Sequence, residues 1–270
     1  MNEAILSRRE GAVQVLSMNN PSARNALTAE TYTALPAALA KAERDPDVGA
    51  IVLTGAGGVF CAGGDLNRLA QRRAMTPTDR RAGVEVLHTM IRAIRDCSKP
   101  VIAAVEGAAA GAGLSIALAC DLLVAARNAS FSVAYVKVGL SPDAGATAFL
   151  SGCVSRQLLT ELCLLGKPVT GERMHALGVA NRLTEPEGAL AEAIAMAQLL
   201  AAGPERAIAR IKSLCRHAGE NTLDAQLDLE ADYMTESLGD DESAEGIGAF
   251  FGKRPADYAA LRRGAAVQSS

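Results

Sequence analysis

The chain has no tryptophan, and aromatic residues make up only 3% of its 270 residues. With so few flat faces, a platform for stacking nucleic-acid bases is not expected. A basic excess is also missing. Lys and Arg number 27 against 30 Asp and Glu, a formal net charge of −3, so nothing offsets a phosphate backbone. Histidine occurs three times, as His88, His175 and His217, and the six cysteines stand singly with no C-x-x-C. A dedicated His/Cys metal site is therefore not expected. Single thiols point to a reducing compartment, the cytoplasm, and the opening MNEAILSRREG lacks the apolar run of a secretory signal. The strongly apolar stretch Val101 to Ala126 carries Glu106, Asp121 and three glycines. It reads as a buried strand and a buried helix, not as a membrane span.

Apolar residues make up 49% of the chain, enough for a large core. Residues 12–18 alternate as a strand, and Asn19, Asn20 and Pro21 end it. Thr28 caps a helix that runs towards Arg44. Ala50-Ile-Val-Leu-Thr54 is apolar on both faces, as in a parallel strand covered on both sides. Residues 66–81 read as a helix and a loop, and 84–96 as an amphipathic helix with Val84, Leu87, Ile91 and Ile94 on one stripe. Lys99-Pro100 resets the chain before a buried strand at 101–105. A glycine-rich lead-in at 107–118 opens a helix, and strands follow at 122–124 and 129–132. From Ser155 onward the pattern is largely helical. Alternating strands and helices give an α/β fold, with a soft boundary near 195 between a core (1–195) and a helical C-terminal region (196–270).

Two glycine-rich segments follow buried strands: Phe60-Cys-Ala-Gly-Gly-Asp-Leu66 and Gly107-Ala-Ala-Ala-Gly-Ala-Gly-Leu114. Without side chains in the way, their backbone N–H groups can face a ligand atom, and in the second a helix begins and adds its dipole. Two such donors meeting at one point make an oxyanion hole. The glycines are equally compatible with close packing. The spacing Gly107-x-x-x-Gly111-x-Gly113 also approaches a dinucleotide phosphate turn. It lies mid-chain, however, and no Tyr-x-x-x-Lys follows, which makes a nicotinamide oxidoreductase the weaker alternative.

Asn19-Asn-Pro21, Ala23-Arg-Asn-Ala-Leu27, Ile51-Val-Leu-Thr-Gly55, Phe60–Leu66, Lys99-Pro-Val-Ile-Ala-Ala-Val-Glu-Gly107 and Ala119-Cys-Asp121, in this order and spacing, resemble the crotonase (enoyl-CoA hydratase/isomerase) superfamily over nearly the whole chain. The resemblance implies a crotonase-type spiral of ββα units and a C-terminal region used for trimerisation, in a homotrimer or homohexamer. It also implies an acyl-CoA thioester substrate, with no cofactor beyond coenzyme A as part of that substrate. It assigns the Gly64 and Ala112 N–H groups as oxyanion donors. Ala62, Asp65 and Leu66 go to the adenine side, and Arg24 and Lys253 to the CoA phosphates, the latter commonly those of a neighbouring subunit.

The chain departs from the hydratases of that family. Their two catalytic glutamates fall at Ser115 and Tyr135 here, which argues against simple two-glutamate hydration. One acid stands at an alternative position, Asp143, where family isomerases carry a single acid. With His88 and Tyr135 it also resembles the constellation of 4-chlorobenzoyl-CoA dehalogenases, while the wording of 106–113 and 134–143 resembles alternative-type oxepin-CoA hydrolases of phenylacetate degradation. Two structural readings stand beside these. Ser141-Pro142-Asp143 is a helix-start pattern in which Asp143 would only complement a dipole, and His88 is by default a core or rim histidine. The expectation is an Asp143-dependent isomerase or ring-opening hydrolase, with an enoyl-CoA hydratase that does not use two glutamates and a non-catalytic CoA-binding subunit as the alternatives.

Overall fold

The computed structural model describes residues 3–268, with side chains to 263. β1 (Ile5–Glu10) and β2 (Val13–Met18) form an antiparallel pair that turns at Gly11, whose φ of +61° suits glycine. α1 (Ala29–Arg44) starts where Thr28 and Thr31 cap each other reciprocally. Then follow β3 (Ala50–Gly55), α2 (Leu66–Arg72), α3 (Pro77–Asp96), β4 (Val101–Val105), β5 (Ala108–Ala110), α4 (Ala112–Ala119), β6 (Leu122–Ala126) and β7 (Ser130–Ser132). The chain continues through α5 (Ala146–Ser151), α6 (Arg156–Leu165), β8 (Val169–Thr170), α7 (Gly171–Ala176) and β9 (Arg182–Thr184). It ends in α8 (Ala189–Ala201), α9 (Glu205–His217), α10 (Leu223–Leu238), α11 (Asp241–Phe251) and α12 (Tyr258–Gln268).

Six strands form one sheet in the order β1-β2-β3-β4-β6-β9, parallel except between β1 and β2, while β5, β7 and β8 form a smaller sheet. From β4 to β7 consecutive strands therefore join different sheets. β4 and β6 enter the large sheet, β5 and β7 directly after them enter the small one, and a helix follows each pair. This is the spiral of ββα units with a helical C-terminal region.

The apolar runs have a simple physical origin. Alternate residues of a strand face opposite sides of the sheet. Leu16, Ile51, Leu53, Ala103 and Val105 pack in one core with α1 and α3, and Val15, Ala50, Val52, Ile102 and Ala104 pack in a second core with α8. With both faces covered, no position can be polar at small cost. The alanines of α8 allow it to lie close: a Cβ at Gly49 would sit 2.8 Å from Ala201.

Several boundaries differ from expectation. β1 is not legible because it is an edge strand whose Ser-Arg-Arg run is exposed. The loop expected towards residue 81 is instead a short turn and the first turn of α3, which begins at Pro77 because the Thr76 side chain accepts from the Asp79 N–H. The glycine-rich lead-in contains β5, and β8 and β9 interrupt the stretch expected to be helical. The soft boundary near 195 falls inside α8, whose Ala193, Ile194, Ala197 and Ala201 cover the sheet. No helix among the described residues is long and apolar enough to cross a membrane.

One cation ties the C-terminal helices to this core. Lys212 of α9 donates to the Cys97 and Lys99 carbonyls at 2.7 and 2.6 Å and pairs with Asp121 at 2.6 Å. Burial raises the Asp121 carboxyl above its ordinary range even so, and Lys212 acts in the opposite direction. Lys212→Met is expected to lower the urea midpoint by an amount equivalent to about 2–4 kcal/mol, because it strands a partly buried carboxylate and two carbonyls. A midpoint within experimental error of wild type would mean that α9 is held by its apolar face and by the Arg216 bonds to the Arg95 carbonyl and Asp96.

Candidate active site

After β3 the chain crosses a glycine turn and pairs again on both flanks. The Cys61 N–H donates to the Ala108 carbonyl at 2.9 Å and the Ala110 N–H to the Cys61 carbonyl at 3.0 Å. On the other side the Ala62 N–H donates to the Arg24 carbonyl at 3.0 Å, and the Leu27 N–H to the Gly63 carbonyl at 2.8 Å. Residues 61–64 are thus fixed between β5 and the loop before α1. A Cβ at Gly113 would lie 2.2 Å from the Cys61 oxygen, and one at Gly63 would lie 2.6 Å from the Ala110 oxygen. The two glycine-rich segments approach this closely only because both positions lack a side chain.

The same Gly63 Cβ would lie 3.5 Å from the Ala112 nitrogen, so the segment ending at Gly64 faces the start of α4. Neither the Gly64 nor the Ala112 N–H donates to an acceptor among the described residues. For Ala112 the reason is general: the first N–H groups of a helix have no carbonyl one turn back. Two unengaged donors on facing segments, one at the positive end of a helix dipole, suit a developing negative charge.

The acidic end is built from three elements. Tyr135, buried in a 3-10 turn (Ala134–Val138), donates its hydroxyl to Asp143 Oδ1 at 2.8 Å. Burial, reinforced by the Asp143 charge, pushes the phenol far above its ordinary pKa, so Tyr135 remains a donor. Its ring lies 3.8 Å from where a Gly111 Cβ would be, which places it beside the start of α4. Buried Ser115, one turn into α4, donates to the Asp143 carbonyl at 3.4 Å. His88, half-buried on α3, accepts at Nε2 from the Ala144 N–H at 3.4 Å, and its Nδ1 lies 3.7 Å from Glu85.

Asp143, Tyr135, His88 and Ser115 therefore meet at one loop. The helix-start reading of Asp143 does not hold. α5 begins at Ala146 with Gly145 before it, and the Asp143 carboxylate engages Tyr135 instead of a helix end.

Arg24 is exposed in left-handed backbone at φ +55°, and its carbonyl is bonded to Ala62. Asp65 caps α2, accepting from the Asn67 N–H at 2.8 Å, and Leu66 is 60% exposed. Lys253 is exposed beyond α11 at φ +50°, with no side-chain bond among the described residues. Asn25 was not singled out from the sequence. Its buried side chain accepts from the Asn20 N–H and donates to the Ala56 and Val59 carbonyls at 2.9 and 2.6 Å, which locks the Arg24 loop to the glycine turn. The available signal was Asn in a turn, where left-handed backbone is tolerated. Cys61 is not a nucleophile, because burial pushes its thiol up to about 12.

Residues 8–260 match the enoyl-CoA hydratase/isomerase family. Over 263 residues the chain is 38% identical to the 1,2-epoxyphenylacetyl-CoA isomerase of Escherichia coli, covering 96% of this chain and 99% of that one. The 2,3-dehydroadipyl-CoA hydratase of the same organism is 34% identical over 259 residues, covering 96% and 99%. The crystal structure of an enoyl-CoA hydratase from Polaromonas sp. JS666 superposes with a TM-score of 0.91 at 46% identity, covering 94% of this chain and 98% of that one. Together with the α/β spiral, these matches establish that the chain belongs to the enoyl-CoA hydratase/isomerase family of the crotonase superfamily, and that it is an enzyme acting on acyl-CoA thioesters.

Proposed function

We propose that this enzyme isomerises an unsaturated or strained-ring acyl-CoA by proton transfer through Asp143. The thioester oxygen accepts from the Gly64 and Ala112 N–H groups. The Asp143 carboxylate removes a proton from the carbon next to the thioester, and the C–H electron pair delocalises onto the thioester oxygen as a dienolate. The same carboxyl returns the proton two carbons further along, so the double bond moves and the enzyme is restored. The observation carrying this reading is the Tyr135–Asp143 hydrogen bond at 2.8 Å. It aims the carboxylate and leaves its second oxygen for the substrate proton. The two positions where hydratases keep glutamates, Ser115 and Tyr135, here hold Asp143 from its backbone and its side chain.

Hydrolytic ring opening would need His88 to activate water. Its Nε2 lone pair already faces the Ala144 N–H, so isomerisation is the better-supported chemistry. The relative named 1,2-epoxyphenylacetyl-CoA isomerase makes an epoxidised aromatic CoA ester the second substrate to try. In the same proposal Ala62, Asp65 and Leu66 receive the adenine, and Arg24 and Lys253 the phosphates. The C-terminal helices make a homotrimer or homohexamer in the cytoplasm; Leu223, Phe250 and Phe251, each more than 70% exposed, offer apolar surface for it.

Incubation with 3-hexenoyl-CoA in deuterated water tests the chemistry. The expected product is the conjugated 2-hexenoyl ester, seen by ultraviolet absorbance, with less than one deuterium per turnover because one carboxyl carries the proton. A product heavier by one water, or no turnover of either this ester or the epoxide, would sink the proposal.

A further inference from the structure

Among the described residues three buried side-chain polar atoms lack a hydrogen-bond partner: Arg68 Nη1, Thr184 Oγ1 and Glu205 Oε2. Glu205 Oε2 has Arg262 at 3.6 Å, and Thr184 lies in the far edge strand β9. Arg68 differs from both in its surroundings. Leu27 and Gly64 are bridged side by side; α1 leaves from the first and α2 from the second. Tyr32 is one turn into α1 and Arg68 is four residues beyond Gly64, so both stand over the segment that carries the oxyanion donor.

The Arg68 guanidinium lies 4.9 Å above the Tyr32 ring, and Tyr32 is 7% exposed. Stacking on a buried ring holds the guanidinium in place and shields Nη1 from water. No carboxylate among the described residues forms an ion pair with Arg68. The next cation on α2, Arg72, packs against Gly83 of α3 and is not the missing partner of anything here. The Tyr32 phenol is raised by burial, lowered by Arg68 and Arg72, and raised further by the charge of Asp143. Tyr32 is therefore within electrostatic reach of the carboxylate proposed to do the chemistry, and the Arg68 guanidinium lies on its ring. A fixed, shielded guanidinium with an unused N–H beside an acyl site fits a planar anionic acceptor, which a carboxylate supplies and a hydrocarbon tail does not.

We propose that Arg68 is a specificity residue that receives a carboxylate at the far end of the acyl group, so that the enzyme prefers CoA thioesters of dicarboxylic acids to those of monocarboxylic acids of the same length. This rests on the acyl-CoA site proposed above.

Calorimetric titration of the full chain with adipyl-CoA, hexanoyl-CoA and free CoA tests it, using wild type and Arg68→Met, which keeps an apolar stem on the Tyr32 ring. Wild type is expected to bind adipyl-CoA about tenfold or more tighter than hexanoyl-CoA. Arg68→Met is expected to bind the two esters within about twofold of each other, with its hexanoyl-CoA affinity unchanged. Equal binding of both esters by wild type, or a preference that survives in Arg68→Met, overturns the assignment while leaving the acyl-CoA site intact. If wild type binds free CoA but neither ester any better, the placement of the acyl group itself is wrong, and the Arg68 proposal falls with it.

Discussion

Asp143→Asn is expected to lower kcat for double-bond migration by about a thousandfold, within the range found when a positioned proton-transfer group is lost. The amide has the shape of the carboxylate, and its oxygen can still accept from Tyr135, whose hydroxyl remains a donor. Ser115 holds the Asp143 backbone, not its side chain, so the loop keeps its position. Affinity for a saturated acyl-CoA should therefore be unchanged and the melting temperature close to wild type. The expected signature is a fall in kcat with little movement in KM, as for an interaction made with the transition state. Full activity in the variant would reduce Asp143 to a loop residue. The non-catalytic alternative predicts a different pattern: tight CoA binding and no turnover by either protein.

Ala112→Pro is expected to lower kcat/KM by about 100- to 1,000-fold, the loss typical for one oxyanion donor, because it deletes an N–H without deleting the helix. Ala112 is the first residue of α4, where proline is tolerated since that N–H has no helical partner. Proline also restricts the residue before it, disfavouring α backbone. Gly111 has φ +53° and ψ −123°, an extended geometry in mirror image that glycine alone adopts freely and that leaves room for the proline ring. Circular dichroism and the melting curve should stay near those of wild type, and Ala112→Gly, which keeps the N–H, should stay active. Turnover by Ala112→Pro close to that of wild type would remove Ala112 from the site.

The fold was legible where burial is two-sided. β4 is apolar at every position and β3 at all but Thr54, whose hydroxyl donates to the Ala104 carbonyl, because both sheet faces are covered, and a sequence carries that directly. β1 escaped because an edge strand with an exposed face looks polar. β5, β8 and β9 escaped because two or three residues are too few to show a period; β7, equally short, was legible through Phe131 flanked by serines. The two facing segments of the candidate site were legible as glycines, since close backbone approach at Gly63 and Gly113 leaves a compositional trace. Asp143, Tyr135 and His88 come from three elements separated by up to 55 positions in the sequence, and nothing local connects them; only the resemblance to a family did. The ambiguity at Ser141-Pro142-Asp143 was real in sequence terms, since the same three residues serve a cap or a loop. It is the hydrogen bond from Tyr135 that decides between them. Asn25 and Arg68 were invisible for the opposite reason: each is an ordinary polar residue whose role exists only through what lies against it.

The covering of the large sheet by α8 has a consequence for how the chain is made. Val13 and Val15 of β2, Ala50 and Val52 of β3, Ile102 and Ala104 of β4 and Val124 of β6 all point to the face that Ala189, Ala193, Ile194, Ala197 and Ala201 close. During synthesis that face exists long before its cover does. At ordinary rates of about 5–20 residues per second, β2 leaves the ribosome roughly ten to thirty seconds ahead of α8. Through that interval a growing apolar sheet waits for the nascent chain to catch up. A message broken before the codon for Ala189 would release a polypeptide with that surface permanently bare, suited to capture by chaperones and to degradation rather than to a shorter working enzyme.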